Sequence, residues 1–220
     1  MTLKNSIIYL DNHLIVVDKA AGLLVQGDKS RDESLLDEIK YFLAHKFEKT
    51  GDVFVGLVHR LDRPVSGLVV LARNSKSAAR LSQQIREKQM RKKYVALVEG
   101  AIANSGTWTD QLQRFEKVSR VSKTGGKTAK LTFKRIAQSA GTSLVEIDLI
   151  TGRHHQIRAQ FSSRNHPIVG DALYGARTNY RSGQIALHSF HIGIKHPVSR
   201  EALAFYSQLP NWSSYLNRNR

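Results

Sequence analysis

No stretch of this chain stays apolar for long, and that limits the fold more than any other feature. The hydrophobic residues arrive in short runs: LIVVD at 14–18, GLLVQG at 22–27, GLVVLAR at 67–73, KYVALVE at 93–99 and IALHSFHIGI at 185–194. Two further runs, AKLTFKRIA at 129–137 and SLVEIDLI at 143–150, alternate apolar with polar residues. Runs of this kind read as strands. A membrane-spanning helix needs about 18 or more apolar residues in a row, and none occurs. The apolar part of MTLKNSIIYLDNH is too short for a signal peptide and is interrupted by Asp11. Helical spacing is confined to three places. Leu35, Ile39, Phe42 and Lys46 predict a helix over 34–49, stopped by Gly51. Asn74 or Ser75 caps a second, with Ala78, Leu81 and Ile85 on one face and Arg80, Gln84 and Lys88 on another. Residues 154–163 form a short third. Strands with helices between them make an α+β (mixed α/β) chain. One domain is expected over 1–220, with a polar tail at 211–220 in which Trp212 and Tyr215 are possible anchors.

A chain of 220 residues buries roughly 70–75% of its extended surface and needs no disulfide or metal to fold. There is no cysteine, which excludes disulfide scaffolds, thiol nucleophiles, Cys-ligated zinc and iron–sulfur clusters. A reducing cytoplasm is the expected location and a monomer the expected state. The charge is unusual: 34 Lys and Arg stand against 18 Asp and Glu, a net +16. Residues 73–93 hold eight basic residues and one acid, and so do residues 114–135. The other 177 residues carry only +2. Basic helices and hairpins are often no more than solvated faces, but two dense stripes suit the phosphates of a nucleic acid. Neither shows the exposed apolar face that a membrane surface would want.

Four segments could carry chemistry. TGGKT at 124–128 resembles the end of a P-loop, but Val121 stands where the first glycine is required and a strand follows instead of a helix. A flexible basic hairpin is expected there. Of the nine histidines, His154-His155 and His188-x-x-His191 are the only candidates for metal. No HExxH accompanies them, and residues 188 and 191 point to opposite faces of a strand, so no metal site and no cofactor is expected. In VHRLDRPVSGL at 58–68, Asp62 lies between Arg60 and Arg63, before a Pro and a Ser-Gly turn. A surface ion-pair cluster is the plain reading. A carboxylate held ionised on a fixed loop is the catalytic one, suited to a nucleophile more than to a general acid. In TGRHHQIR at 151–158, Arg153 and Arg158 diverge on a helix start rich in Arg and His. Spacing alone leaves binding and catalysis equally open.

Taken in order, HRLDRPVSGL, KKYVALVEG, TGRHHQIR with HPIVGDALYG, and IALHSFHIGIKHP resemble the RluA/RsuA family of pseudouridine synthases over about residues 14–210. The resemblance implies one catalytic domain on a largely antiparallel mixed sheet with flanking helices. It implies isomerisation of uridine in ribosomal or transfer RNA, with no cofactor. By the same resemblance Asp62 is the catalytic aspartate, Tyr94 packs on the target base, and Arg158 pairs with the aspartate. Arg60 assists flipping of the nucleotide, and Ile157 contributes to an apolar pocket floor. Arg63, Arg153, His155, Lys92, Lys93, Lys123 and Lys127 are expected to bind the RNA. Four positions depart from the family pattern: Ala20 stands for Pro, Val65 for Thr, Gln160 for His and Asn165 for Gly. The small N-terminal RNA-binding domain of many relatives is not expected, so the basic stripes would recognise the target. The competing class is an RNA-binding protein that keeps the fold without the chemistry.

Overall fold

Strand propensity and alternation build most of the molecule, and in the computed structural model, which describes residues 3–29 and 31–212, three short helices interrupt the strands. In chain order the elements are β1 (Ile7–Leu10), β2 (Leu14–Lys19), α1 (Leu35–Lys46), β3 (Gly56–Leu57), β4 (Ser66–Ala72), α2 (Ser75–Arg86) and β5 (Arg91–Glu99). They continue with β6 (Ser105–Phe115), β7 (Val118–Ser122), β8 (Lys127–Ser139), β9 (Thr142–Leu149), α3 (Gln156–Ser162), β10 (Leu187–Lys195) and β11 (Ala202–Tyr206). The chain forms two compact units, Met1–Met90 with His191–Ser207, and Arg91–Phe190 with Gln208–Arg220. Tyr215 lies outside the described residues, while Trp212 is buried. Among the described residues, no helix is long and apolar enough to cross a membrane.

In the first unit β2 pairs antiparallel with β1 and with β4, β3 pairs with β4, and β10 with β11. Leu14 and Val16 of β2 face the same way as Leu68 and Val70 of β4, and Leu81 of α2 packs on them. Alternation therefore turns Lys19 to the other face of the sheet from α2. Both helices start on side-chain caps. Ser34 and Asp37 exchange hydrogen bonds in a capping box, and Asn74 Oδ1 accepts from Ser77 N at 2.8 Å. Both end in the same closure without glycine. Glu48 (φ 50°) and Lys88 (φ 57°) turn left-handed, and Lys49 N and Gln89 N bond back to Ala44 O and Gln84 O. That is why α1 stops at Lys46 and does not run on to Gly51.

The second unit is an antiparallel sheet in the order β5-β9-β8-β6-β7. The short helix α3 lies on one face of it, where Phe161 meets Trp108 and Phe133 with ring centroids 4.6 and 5.8 Å away. The TGGKT segment is not the expected hairpin. β7 and β8 both run antiparallel to β6 and lie on either side of it, so residues 123–126 cross over β6. Gly126 (φ 109°) rests on the crossing, where a β-carbon would come within 2.8 Å of Leu112 O. A side chain there would collide with backbone, which explains the glycine without any phosphate.

Candidate active site

Asp62 stands on a turn that two loops build together. Val65 N donates to Asp62 O at 3.0 Å, closing the turn around Arg63 and Pro64. Gly22 N donates to Arg63 O at 2.8 Å, and Arg63 Nε donates back to Gly22 O at 3.0 Å. The rest of the Arg63 guanidinium is ion-paired with Asp32 at 2.8 Å. Arg63 therefore staples the loop and does not reach Asp62, and Arg60 is exposed and makes no ion pair with it. The cation acting on Asp62 within this unit is one that the motif reading missed. Lys19 is 1% exposed, and its Nζ donates to Ala20 O, Leu23 O and Arg63 O at 2.9, 2.8 and 3.3 Å. Burial pulls its ammonium down to about 7, while the charge of Asp62 pulls it up. Three carbonyl acceptors match the three N–H bonds of the ammonium, one more than an amine has. Its sequence signal was slight: a lone Lys closing an apolar strand.

In the second unit Arg158 is the centre of a buried network. Its side chain is 5% exposed and forms a fork with the 1% exposed Asp171, Nε to Oδ2 at 2.7 Å and Nη2 to Oδ1 at 2.8 Å. Nη1 lies 3.0 Å from His155 Nε2, and the guanidinium carbon sits 4.9 Å from the centre of the Tyr174 ring. Removing one member of such a buried pair costs about 3–5 kcal/mol. Asp171 is delivered by Gly170 (φ 86°), where a β-carbon would fall 2.5 Å from Tyr180. Asp171 and Tyr174 were not singled out in the sequence. Asp171 is 13 residues from Arg158, and no spacing rule joins the two.

The second basic stripe is bolted to the start of α3. Tyr174 Oη accepts from Ser119 N of β7 at 2.8 Å, and Ser119 Oγ lies 3.0 Å from His154 Nδ1. Arg153 Nε donates to Thr128 O of β8 at 2.9 Å, and Lys130 N donates to Thr151 Oγ1 at 2.7 Å. Lys123 and Lys127 flank the crossing and are exposed. Tyr94 and Lys92 share one face of β5, and Tyr94 is 6% exposed. Lys92 Nζ lies against Gly152, 2.9 Å from where a β-carbon would stand, and burial lowers its pKa. Lys93 points to the opposite face. There it pairs with Glu146 at 2.8 Å and Asp148 at 3.6 Å, and the hydrogen bond it donates to Glu146 raises its pKa. Ile157 is buried within α3.

The departures from the family pattern are accommodated locally. Asn165 takes a left-handed φ of 62°, a conformation that asparagine bears better than most residues. Gln160 is fully buried and donates to Asp110 Oδ2 at 2.6 Å, while its own carbonyl oxygen has no hydrogen-bond partner. Ala20 gives its carbonyl to Lys19, and Val65 is buried. His188, in β10, is pushed down to about 4 by burial, so it is neutral at pH 7. His191 instead packs on Tyr206, ring centroids 4.7 Å apart. No cluster of three potential metal-ligating side chains occurs among the described residues.

Comparison with known proteins agrees with these motifs. The chain is 33% identical to the ribosomal large subunit pseudouridine synthase D of Zymomonas mobilis, over 93% of this chain and 69% of that protein. It is 34% identical to the ribosomal large subunit pseudouridine synthase C of Buchnera aphidicola from Schizaphis graminum, over 98% of this chain and 71% of that one. The fold superimposes on that of human RNA pseudouridylate synthase domain containing 4 with a TM-score of 0.80 at 21% identity, covering 98% of this chain and 94% of that one. The sequence model of the RNA pseudouridylate synthase family matches residues 13–163, which include the Asp62 turn, Tyr94 and Arg158. The chain belongs to the RNA pseudouridylate synthase family.

Proposed function

We propose that this protein converts uridine to pseudouridine in structured RNA, with large-subunit ribosomal RNA as the first substrate to test and transfer RNA as the second. The observation that carries the reading is the Asp62 turn: a half-buried carboxylate on a loop stapled by Arg63, with the buried ammonium of Lys19 beside it. A loop fixed in this way holds a reacting group in place before substrate arrives. The relatives named for the large ribosomal subunit supply the substrate class.

The reaction is an isomerisation. The C–N glycosidic bond between ribose and N1 of the uridine breaks, the base turns, and a C–C bond from carbon 5 to the same ribose replaces it. Carbon 5 gives up its proton to solvent and the freed N1 takes one up, so the balance is an isomerisation. Asp62 is assigned the chemistry at ribose or base, Tyr94 the stacking on the extruded base, and Arg158 the orientation of the carboxylate. Flipping the nucleotide costs a few kcal/mol, which contacts of the RNA phosphates with lysine and arginine can offset. Arg60, Arg153, His155, Lys92, Lys123 and Lys127 are the side chains assigned to those contacts. Arg63, committed to Gly22 and Asp32, serves the loop first. The protein is read as a single catalytic domain acting as a cytoplasmic monomer, and size-exclusion chromatography tests the monomer.

The test is tritium release from RNA labelled at uridine carbon 5, with unmodified ribosomal and transfer RNA assayed separately. Asp62→Asn should abolish release, by about 10⁴-fold or more, with RNA affinity within about twofold of the parent. Release from one pool alone names the substrate class. A variant that still turns over at a comparable rate refutes the role of Asp62.

A further inference from the structure

We propose that Asp171 and Tyr174 are positioning residues for Arg158, and that Tyr174 ties the orientation of this arginine to the basic strand β7. The proposal rests on the role given to Arg158 above. It starts from the hydrogens. A guanidinium can only donate, so His155 Nε2, 3.0 Å from Arg158 Nη1, is the acceptor. The neutral ring then carries its proton on Nδ1 and donates to Tyr174 Oη, 3.0 Å away. That oxygen also accepts from Ser119 N at 2.8 Å. A single consistent direction therefore runs from Arg158 through His155 to Tyr174, and β7 meets it there.

The three contacts fix the guanidinium in different senses. Asp171 takes the Nε and Nη2 edge in a fork, which sets the rotation within the plane. His155 holds Nη1, and the Tyr174 ring, 4.9 Å from the guanidinium carbon, sets the plane itself. His155 adopts a left-handed φ of 51° to do this, a conformation uncommon for a residue with a side chain, and makes no capping bond to α3. His154 adds a second link, since its ring stacks on His155 at 3.8 Å and its Nδ1 lies 3.0 Å from Ser119 Oγ. β7 is the terminal strand of its sheet and leads directly into Lys123. RNA phosphates drawn to this edge therefore pull on the strand whose backbone holds Tyr174, so binding at the stripe and alignment of Arg158 become one event.

The decisive variant is Tyr174→Phe, which keeps the ring under Arg158 and deletes only the oxygen. Single-turnover tritium release at saturating ribosomal RNA should slow by about 5- to 20-fold, with RNA affinity within about twofold of the parent. Asp171→Asn should slow release by about 100-fold or more, and its melting temperature is followed because it leaves a buried guanidinium with a neutral partner. A double-mutant cycle separates positioning from a general loosening of the fold. Added to Arg158→Lys, whose residual rate is read over hours, Tyr174→Phe should cost less than about twofold more. An equal loss in both backgrounds, or a parental rate for Tyr174→Phe in the otherwise native protein, overturns the proposal. An inactive parent protein on both RNA pools would instead overturn the activity reading, and this proposal with it.

Discussion

The two basic stripes carry the same composition, eight cations and one acid each, yet the fold uses them differently. The first begins along α2 and ends in Arg91, Lys92 and Lys93 of β5. Its helical part has an apolar side that covers Leu14, Val16, Leu68 and Val70, on the face of the sheet away from Lys19. On this helix Arg80 is tied down, with Nη1 donating to Pro197 O at 2.9 Å. The second runs through β6, β7 and β8 and is joined to the start of α3 through Ser119, Thr128 and Lys130. Charge density in a sequence therefore measures attraction to a polyanion and says nothing about direction. What makes a cation useful to a site is the element it stands on and what that element is fastened to.

Charge removal should separate the stripes, and this is the largest effect expected of the comparison. Lys117, Lys123 and Lys127 replaced together by Gln should weaken binding of substrate RNA about 10- to 100-fold and reduce the salt slope by about 2. The matching triple variant on the first stripe, Lys76, Arg86 and Lys88 to Gln, should stay within about threefold of the parent. Titrations at several salt concentrations read both. Equal losses from the two triples would mean that RNA tracks the α2 face as well, and the distinction drawn above would fall.

A finer cut uses neighbours. Lys92 and Lys93 belong to the same stripe, but alternation along β5 sends Lys92 to the Tyr94 face, against Gly152, and Lys93 to Glu146 and Asp148 on the other. Lys92→Gln should raise KM about fivefold. Lys93→Gln should change it by less than about twofold, because it removes only a solvent-screened ion pair of the kind worth at most about 1 kcal/mol. Steady-state kinetics on labelled RNA decide, and a larger loss for Lys93 would break the face assignment.

These contrasts also show where the sequence was readable. The strands at 14–19, 66–72, 91–99 and 142–149 are rich in buried Val, Leu and Ile, and composition alone reveals them. β6 is harder: the residues it turns inward include Asp110, whose carboxylate is satisfied by Gln160 and Arg164 from α3 and the turn after it. Without that partner in view the alternation reads as polar, and the crossing of β6 by residues 123–126 looks like a hairpin. The Asp62 turn was legible because Pro and Gly mark it locally. Lys19 was not, because its partners are backbone carbonyls, which leave no trace in side-chain patterns. Adjacency in sequence sets Arg63 beside Asp62, but its guanidinium is committed to Gly22 and Asp32. Adjacent side chains on a loop diverge.

Asp18 and Lys19 give the smallest and most selective test, since one strand sends them to opposite faces. Asp18 lies on the α2 side, opposite Leu68 in the register, and burial raises its carboxyl to about 6. The folded protein thus holds a proton on Asp18 up to about pH 6, while the unfolded chain gives it up near the ordinary value of 3.8. The stabilisation is complete below that ordinary value and is lost as pH rises through about 6, so at pH 7 the ionised group is a burden. Asp18→Asn should therefore raise Tm at pH 7 by about 2–4 °C, with the gain vanishing below about pH 4. RNA affinity should not change if the α2 face is structural. A gain that persists at low pH would point to packing in place of charge, and a change in RNA affinity would return the α2 face to the binding surface.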